Sequence, residues 1–315
     1  MTAESAAAGG FEHRGVFFES DTDLHDLVLP WVRSAVSDGG EVVMAVAPAT
    51  RAALGPRLHG HERASVLFAA RSDLYDAPGR ALAALHRLAQ RSKTRRTTVI
   101  GEPVLPARDP VQLREWHRLE SVLPTVLAGA RLHLICLHDI RVAPPAVRET
   151  VRRTHPLLLT REGEVPSPDH QDPAAFSAPD IARPLPVPAG VPRSLDIRSD
   201  LPSLREDIGA LAESTDLPRD RVGDLVTAVN ELAANVLEHG AGKGTITLWR
   251  SAEWIVCDVF DERGDLTDPL SGYFPTDPLS SRGYGLWITR QLCDFMEVSG
   301  GPHGSRIRLH FRTGR

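Results

Sequence analysis

Cysteines and long apolar runs are scarce in this chain of 315 residues, and each scarcity excludes a class of protein. The three cysteines, Cys136, Cys257 and Cys293, lack Cys-x-x-Cys spacing, which favours buried reduced thiols over disulfides or a zinc site. No stretch approaches the roughly 18 apolar residues that a transmembrane helix requires, and no signal-peptide pattern opens the chain. The sequence therefore predicts a cytoplasmic protein without a membrane-spanning segment.

The net negative charge of the chain lies in its C-terminal part. From residue 193 onward there are 14 basic and 19 acidic residues, whereas the preceding part is balanced at 22 of each, so the net charge of −5 belongs entirely to the C-terminal part. Direct binding of nucleic acid requires a basic face. We therefore expect no direct nucleic-acid contact, and any role in transcription would act through a protein partner.

A proline-rich segment divides the chain. Residues 164–192 contain eight prolines and no apolar period, which indicates a semi-rigid linker or a wrapping strap rather than a helical domain. The length allows two cores, at roughly 100–200 residues per domain. We predict a first domain over residues 1–175, overlapped at its end by the linker, and a second over 193–315.

The first domain alternates short apolar strands with helical patterns. The strands are expected at 16–18, 41–47, 65–69, 97–100 and 132–137, and the helices around 21–37, 48–57, 77–91, 111–128 and 144–153. Strands separated by helices indicate an α/β fold with a mainly parallel sheet. The Gly-x-x-x-x-Gly-Lys-Ser/Thr pattern of phosphate-binding loops is absent, so no catalysis is predicted here.

Residues 228–239 have the pattern of an amphipathic helix with a carboxylate and a carboxamide on its polar face. Glu231 and Asn235 are four residues apart, flanked by the small residues Ala228 and Ala234. An amide oxygen on Mg²⁺ beside a carboxylate base suits a metal-bound polyphosphate. A solvated pair on an ordinary helix is the alternative. The apolar stripe opposite comprises Val222, Leu225, Val226, Val229, Leu232, Ala233, Val236 and Leu237.

Three glycine-centred segments follow this helix. A strand-like stretch at 253–260 leads into Asp261-Glu-Arg-Gly264, Gly283-Tyr-Gly285 opens a helical pattern, and Gly300-Gly-Pro-His-Gly-Ser305 precedes a closing strand at 306–311. Glycines at a helix start leave backbone N–H groups for a phosphate, which the helix dipole also favours. A lone Gly-x-Gly is typical of ordinary loops. The ordered set points instead to a nucleotide site.

Residues from about 193 to 315 resemble the nucleotide-binding domain shared by gyrase, Hsp90, histidine kinases and MutL, and most closely the anti-sigma regulatory serine kinases. The resemblance implies a two-layer α/β sandwich (the Bergerat fold) that binds ATP and Mg²⁺ under a mobile lid at roughly 264–283. The motifs that carry it are Glu231-Leu-Ala-Ala-Asn235 with His239-Gly240, Asp268-Pro-Leu270, and Arg282-Gly-Tyr-Gly-Leu-Trp287 with Gln291-Leu-Cys-Asp294.

The resemblance also implies a role for each matching residue. Asn235 would hold Mg²⁺, and Glu231 would act as general base toward a protein hydroxyl. Asp261 would accept a hydrogen bond from the adenine amino group, with Ser305 supporting that contact. The other nucleotide-binding residues that it implies are His239, Gly264, Arg282, Gly283, Tyr284, Gly285 and Leu286.

The adenine loop departs from the family pattern. The family has Asp-x-Gly, whereas this chain has Asp261-Glu-Arg-Gly264, which is one residue longer. Arg263 places a long side chain where backbone and adenine normally approach closely. Nucleotide binding is either weakened by this insertion or recovered by a bulge in the loop.

The first domain, over roughly residues 10–175, resembles the MEDS sensory domain. The resemblance implies that it senses a signal, without fixing the ligand. Four polar residues near strand ends, His13, Glu102, Glu120 and His138, are candidate ligand contacts, although structural hydrogen bonding is the commoner role for such groups. The motifs that carry it are His13 before Phe17-Phe18, Pro30-Trp31, Gly39-Gly-Glu41, Gly101-Glu102, Trp116 with Glu120, Cys136-Leu-His-Asp139 and Thr154-His-Pro156.

Two functions are consistent with these resemblances. In the first, the protein is an ATP-dependent serine/threonine kinase that phosphorylates an anti-sigma-factor antagonist under control of the sensory domain. In the second, it is a partner-switching module that sequesters a sigma factor and keeps nucleotide at most as a structural ligand. Glu231 and Asn235 favour the first and the Asp261–Gly264 loop favours the second. The family often forms a homodimer through the sheet edge and first helix, here near 200–214.

A sensor histidine kinase is a weaker alternative. The segment His138-Asp-Ile-Arg-Val-Ala-Pro144 superficially resembles a phosphoacceptor motif. It ends an apolar strand, however, and the proline-rich segment 164–192 occupies the place where such kinases carry a helical hairpin. Autophosphorylation on histidine is therefore not expected.

Overall fold

The fold is described from a computed structural model covering residues 10–91, 95–105, 109–251, 253–263, 266–275 and 284–314. The chain divides into two compact units, one formed by residues up to 76 with 81–173 and the other by 77–80 with 174–315. None of the described helices combines the length and the hydrophobicity needed to span a bilayer.

The N-terminal unit is built on a seven-stranded sheet with the order β3-β2-β4-β5-β1-β6-β7. All neighbouring strands are parallel except β6 and β7, which form an antiparallel hairpin. The predicted mainly parallel sheet is confirmed. The strands are β1 (Glu12–Phe18), β2 (Glu41–Ala45), β3 (Val66–Phe68), β4 (Thr97–Gly101), β5 (Leu132–Asp139), β6 (Leu157–Thr160) and β7 (Gly163–Pro166).

Crossover helices connect the parallel strands. The helix predicted over residues 21–37 is broken at Val28, because Pro30 lacks a backbone N–H and starts a new helix at its first turn. The helices are α1 (Asp21–Leu27), α2 (Leu29–Ser37), α3 (Pro48–Leu54), α4 (Gly60–Ser65), α5 (Arg71–Tyr75), α6 (Pro78–Arg91), α7 (Pro110–Val126) and α8 (Pro145–Thr154), with a short 3₁₀ turn at Gly55–Arg57.

The C-terminal unit is a two-layer α/β sandwich, as predicted. Its antiparallel sheet has the order β11-β12-β10-β9-β8, and the apolar residues of one sheet face form a common core with the helices. The strands are β8 (Arg193–Asp196), β9 (Gly244–Arg250), β10 (Trp254–Asp261), β11 (Phe295–Gly301) and β12 (Gly304–Arg312), and the helices are α9 (Pro173–Ile181), α10 (Leu201–Glu213), α11 (Arg219–Glu238) and α12 (Gly285–Leu292).

Helix α11 buries the predicted apolar stripe against this core. The sequence placed Ala228 on the open polar face of α11, whereas the structure buries it fully in the core. The Oγ1 atom of Thr289 donates a hydrogen bond to the Ala228 carbonyl at 3.5 Å, which shows that α12 covers this flank of α11. The polar face of α11 is therefore narrower than the sequence indicated, and it is bordered by α12.

The proline-rich segment is more ordered than a simple linker. Residues 163–166 form β7 of the first sheet, and α9 follows, with Ile181 packed into the core of the C-terminal unit. Beyond α9 the chain crosses the sheet face opposite the helices. There the Arg183 carbonyl accepts a hydrogen bond from Ser299 at 2.9 Å, and the Pro186 carbonyl accepts one from Arg308 at 2.6 Å. This part is a strap over the sheet.

Candidate functional site

Glu231 and Asn235 converge beneath the first residue of α12. A Cβ atom placed on Gly285 would lie 3.1 Å from Asn235 Nδ2 and 3.3 Å from Glu231 Oε2. Such contacts are tighter than a side chain normally accepts, so glycine is what allows α12 to begin this close to the pair. The two polar groups and the start of α12 therefore form one site.

The polar side-chain atoms of Glu231 and Asn235 take part in no hydrogen bond within the described part of the chain. Both side chains are partly exposed, and neither makes a hydrogen bond or ion pair with any part of the chain that the structure describes. Half-buried carboxylates and amides in folded proteins are usually satisfied by neighbouring groups or by water. These two groups are thus available to a ligand that approaches between α11 and the start of α12.

The start of α12 offers backbone donors to the same space. Tyr284 occupies the N-cap position without a side-chain cap, and the first hydrogen bond of the helix runs from Ile288 N to the Tyr284 carbonyl at 2.8 Å. The N–H groups of Gly285 and Leu286 precede that bond and so have no acceptor within the helix. Together with the helix dipole they favour an anion.

The other residues predicted to lie near the phosphates are Leu286, Arg282 and Gly283. The side chain of Leu286 packs against the core, so only its backbone can face a phosphate. Arg282 and Gly283, which the sequence also assigned to the phosphates, lie outside the described residues. Their predicted roles stay predictions.

Asp261 ends β10 on the sheet face that carries the helices, between Gly244 of β9 and Ser305 of β12. Its Oδ1 atom accepts hydrogen bonds from the backbone N–H groups of Ala241, at 2.9 Å, and Arg263, at 3.0 Å. A Cβ on Gly240 would lie only 2.0 Å from Asp261 Oδ2, so the turn after α11 can pass the carboxylate only because residue 240 is glycine. These contacts fix the orientation of the Asp261 carboxylate.

The extra residue of the adenine loop is absorbed by an Asx-type turn. The bond from Arg263 N to the Asp261 side chain closes this turn, and the Arg263 carbonyl accepts a hydrogen bond from Ser305 Oγ at 2.9 Å. Ser305 therefore holds the loop that follows Asp261, and its predicted support of the adenine contact stays a prediction. Gly264 lies outside the described residues.

Arg263 and His239 meet at the C-terminal end of α11. Arg263 Nη1 donates to the His239 carbonyl at 3.1 Å, which places a positive charge at the negative end of the helix dipole. The His239 side chain is 64% exposed and lies 3.9 Å from Glu238. The structure therefore shows His239 as the C-cap of α11, and its predicted contact with nucleotide stays a prediction.

One contact next to the candidate site was not predicted from the sequence. The first half of the predicted lid, residues 266–275, is anchored on α12 by Arg290, whose guanidinium donates to the Ser271 carbonyl at 3.0 Å and lies 3.8 Å from the centroid of the Tyr273 ring. Both Arg290 and Tyr273 are buried. A cation over an aromatic face joins residues 17 positions apart without any local motif, so no sequence signal could have revealed it.

The four candidate residues of the sensory unit take different positions. Glu102 accepts a hydrogen bond from the Ala47 backbone N–H at 2.8 Å. His138 is buried, and its ring centroid is 5.5 Å from that of His155. His13 and Glu120 face each other inside the fold at 3.1 Å. The structure therefore brings His13 and Glu120 together and leaves Glu102 in a separate structural role.

Comparison with known proteins agrees with this architecture. Residues 12–156 match the MEDS family (MEthanogen/methylotroph, DcmR Sensory domain), and residues 196–311 match the histidine kinase-like ATPase domain. No curated protein matches the chain at a significant level.

Among solved structures, the chain is similar to the RsbU and RsbW domains of a protein from Mycobacterium tuberculosis, with 16% sequence identity and a TM-score of 0.29. The match covers 40% of this chain and only about a third (33%) of that structure. The assignment of the two domains rests on the two family matches and not on this structure. They agree with the resemblances that the sequence motifs indicated: the chain carries an N-terminal MEDS sensory domain followed by a C-terminal histidine kinase-like ATPase domain.

Proposed function

We propose that the C-terminal domain binds ATP with Mg²⁺ and transfers its γ-phosphate to a serine or threonine of a partner protein. The observation that carries this proposal is the convergence of Glu231 and Asn235 beneath Gly285, with their polar atoms unused by the described part of the chain. A carboxylate, an amide and the backbone N–H groups of a helix start form the set of groups that a metal-bound triphosphate needs.

Each residue has a distinct part in this proposal. The amide oxygen of Asn235 is a ligand for Mg²⁺, whose charge offsets that of the transferred phosphoryl group. Glu231 accepts the proton of the attacking hydroxyl. Asp261 accepts a hydrogen bond from the adenine amino group through Oδ2, since Oδ1 already holds two backbone N–H groups. The N–H groups that open α12 bind phosphate oxygens.

The partners follow from the family resemblance. We propose that the phosphorylated protein is an anti-sigma antagonist, that the domain also sequesters a sigma factor, and that the MEDS domain gates both activities in the cytoplasm. A homodimer through α10 and the edge strand β8 belongs to the same proposal. A partner-switching module with nucleotide as a structural ligand is the alternative, favoured by the lengthened loop after Asp261.

Replacing Asn235 by alanine tests the metal–nucleotide site directly. We expect calorimetry to show micromolar binding of ATP to the native chain in the presence of Mg²⁺, and a loss of about tenfold or more, ~1.4 kcal/mol, in the Asn235→Ala variant. The residual binding should no longer depend on Mg²⁺, because the amide oxygen that links the metal to α11 is gone.

Asn230→Ala is the matched control. Asn230 lies on the same helix but accepts a hydrogen bond from Arg205 of α10 at 3.1 Å, so its removal should leave Mg²⁺-dependent binding unchanged. Equal losses in both variants would indicate a general disturbance of α11. Absence of ATP binding by the native chain would refute the kinase proposal and support the partner-switching alternative.

Gly285→Ala separates nucleotide binding from folding. The new Cβ would displace the ends of two flexible side chains, Asn235 and Glu231, rather than backbone, so the free energy of unfolding should change by less than about 1 kcal/mol. ATP affinity should fall about tenfold, because the displaced groups no longer face the ligand.

Calorimetry together with thermal unfolding measures both effects of Gly285→Ala. Gly223→Ala is the control, since Gly223 lies within α11 and its added Cβ would meet no atom within 4 Å. Gly223→Ala should leave ATP affinity unchanged. Native affinity in Gly285→Ala would show that the ligand does not use the space beneath this residue.

A further inference from the structure

Four polar side chains of the MEDS domain meet inside the fold, away from the nucleotide site. They come from four elements: His13 from β1, Glu120 from α7, Cys136 from β5 and His155 from the C-cap of α8. All four are buried, and one nitrogen, oxygen or sulfur atom of each lies within 4.8 Å of the corresponding atoms of the other three. Buried groups of this kind require either hydrogen-bond partners or a metal ion.

The separations match the edges of a tetrahedral metal site. His13 Nε2 is 3.1 Å and His155 Nε2 is 3.4 Å from Glu120 Oε2. The Cys136 Sγ atom is 3.4 Å from His13 Nε2 and 3.6 Å from Glu120 Oε2. Usual zinc–ligand bond lengths in a tetrahedron give about 3.3 Å between nitrogen and oxygen and about 3.6 Å to sulfur.

Hydrogen bonding alone does not account for the orientation of His155. Its Nδ1 atom lies 2.9 Å from the Val151 carbonyl, which can only accept, so Nδ1 carries the proton. A neutral imidazole with its proton on Nδ1 has a lone pair on Nε2. That lone pair faces an oxygen of the Glu120 carboxylate at 3.4 Å. Two acceptors face each other, as they do around a shared cation.

Charge balance also favours a divalent ion. Imidazoles bind metal ions in their neutral form, so His13 and His155 would add no charge. A carboxylate from Glu120 and a thiolate from Cys136 would contribute two negative charges, which a divalent cation neutralises in a buried place where net charge is costly.

The surrounding groups resemble the outer shell of a metal site. The Val151 carbonyl fixes the tautomer of His155, as second-shell carbonyls do for zinc-bound histidines. The sequence favoured a simple reduced thiol at Cys136 because no local spacing motif is present. The fold supplies the proximity that the spacing lacks.

We propose that His13, Glu120, Cys136 and His155 bind a divalent transition-metal ion, with Zn²⁺ as the best match, in a closed four-coordinate site of the MEDS domain. Imidazole, thiolate and carboxylate ligands suit Zn²⁺ and exclude Ca²⁺ and Mg²⁺, which prefer oxygen ligands alone. The site makes the stability of the sensory domain depend on metal availability and on the oxidation state of the Cys136 sulfur.

Cobalt substitution of the full chain tests this proposal. The protein is stripped with a chelator, dialysed and titrated with Co²⁺ near neutral pH. We expect one Co²⁺ per chain, a tetrahedral visible spectrum, and a thiolate-to-cobalt charge-transfer band in the near ultraviolet. Added Zn²⁺ should displace Co²⁺ at one equivalent and raise the melting temperature of the native chain, since ligand binding to the folded state stabilises it.

Two control variants locate the metal. Cys136→Ser should lose the charge-transfer band, whereas Cys257→Ser, which removes a buried thiol of the ATPase domain, should retain it. His138→Gln should also retain the band, because His138 is buried in the same domain but lies outside the four ligands.

Two results would overturn the proposal. The first is a band that depends on Cys257 rather than Cys136. The second is a folded native chain that takes up neither Co²⁺ nor Zn²⁺. The second result is decisive even if Cys136→Ser fails to fold, and neither depends on nucleotide binding by the other domain.

Discussion

Glu231→Gln should reduce phosphoryl transfer to a partner protein by a factor of about 10²–10⁴, the usual contribution of a general base. Glutamine keeps the size of the side chain beneath Gly285 but cannot accept the proton of the attacking hydroxyl. ATP affinity and partner binding should therefore persist. Transfer of radiolabelled phosphate from ATP to an anti-sigma antagonist measures the first effect, and calorimetry measures the second.

Glu238→Gln provides the comparison. Glu238 lies on the same helix, is exposed, and is 3.9 Å from the neighbouring His239, so its substitution should leave transfer at the native rate. Normal transfer by Glu231→Gln would remove Glu231 from the role of base. A loss of ATP binding together with transfer would assign Glu231 to ligand binding or to structure instead.

Asp258→Ala should destabilise the ATPase domain by about 3–5 kcal/mol, the range for breaking a buried ion pair from one side. Asp258 is 1% exposed and accepts two hydrogen bonds from Arg308, at 2.7 and 2.9 Å, and one from Arg306 at 2.7 Å. Its removal leaves the buried Arg308 guanidinium without a counter-charge. Chemical denaturation followed by tryptophan fluorescence measures the loss.

Asp207→Ala is the matched control on the same domain. Asp207 pairs with Arg198 at the surface, where both side chains are exposed, and such pairs contribute about 0–1 kcal/mol. A similar small change for Asp258→Ala would mean that solvent reaches the Arg308 guanidinium. Because Arg308 also donates to the Pro186 carbonyl, Asp258→Ala should in addition increase proteolysis of the strap.

Long periodic segments of the fold were predictable from the sequence. The five predicted strands of the first domain correspond to β1–β5, and the apolar stripe at 222–237 identified α11. The short helices α4 and α5 were missed, because five or six residues are too few to display a helical period.

The candidate nucleotide site was predictable only in part. Spacing placed Glu231 and Asn235 on one face of α11, because the helical period is a local property. The approach of Gly285 to that pair is a property of helix packing, and so is the contact between Arg290 and Tyr273. Neither leaves a pattern in a single sequence.

The cluster of His13, Glu120, Cys136 and His155 in the MEDS domain was also not predictable from the sequence. Its four members are far apart in the chain, and His13 and Cys136 become neighbours only through the parallel pairing of β1 with β5. His13 lies opposite Leu134, which puts Cys136 one pleat further along the same face. The order of the strands in the sheet therefore determines whether these residues meet, and this order was not evident from the sequence.

The contacts of Arg290 with Ser271 and Tyr273 have a thermodynamic consequence. Helix α12 begins above Glu231 and Asn235 and, less than two turns later, holds Ser271 and Tyr273 of the lid through Arg290. On the proposed function, a shift of α12 when a phosphate binds at its first turn would move Ser271 and Tyr273 with it. Phosphate binding and the position of residues 266–275 would then share one coupling free energy, and each would affect the other to the same extent.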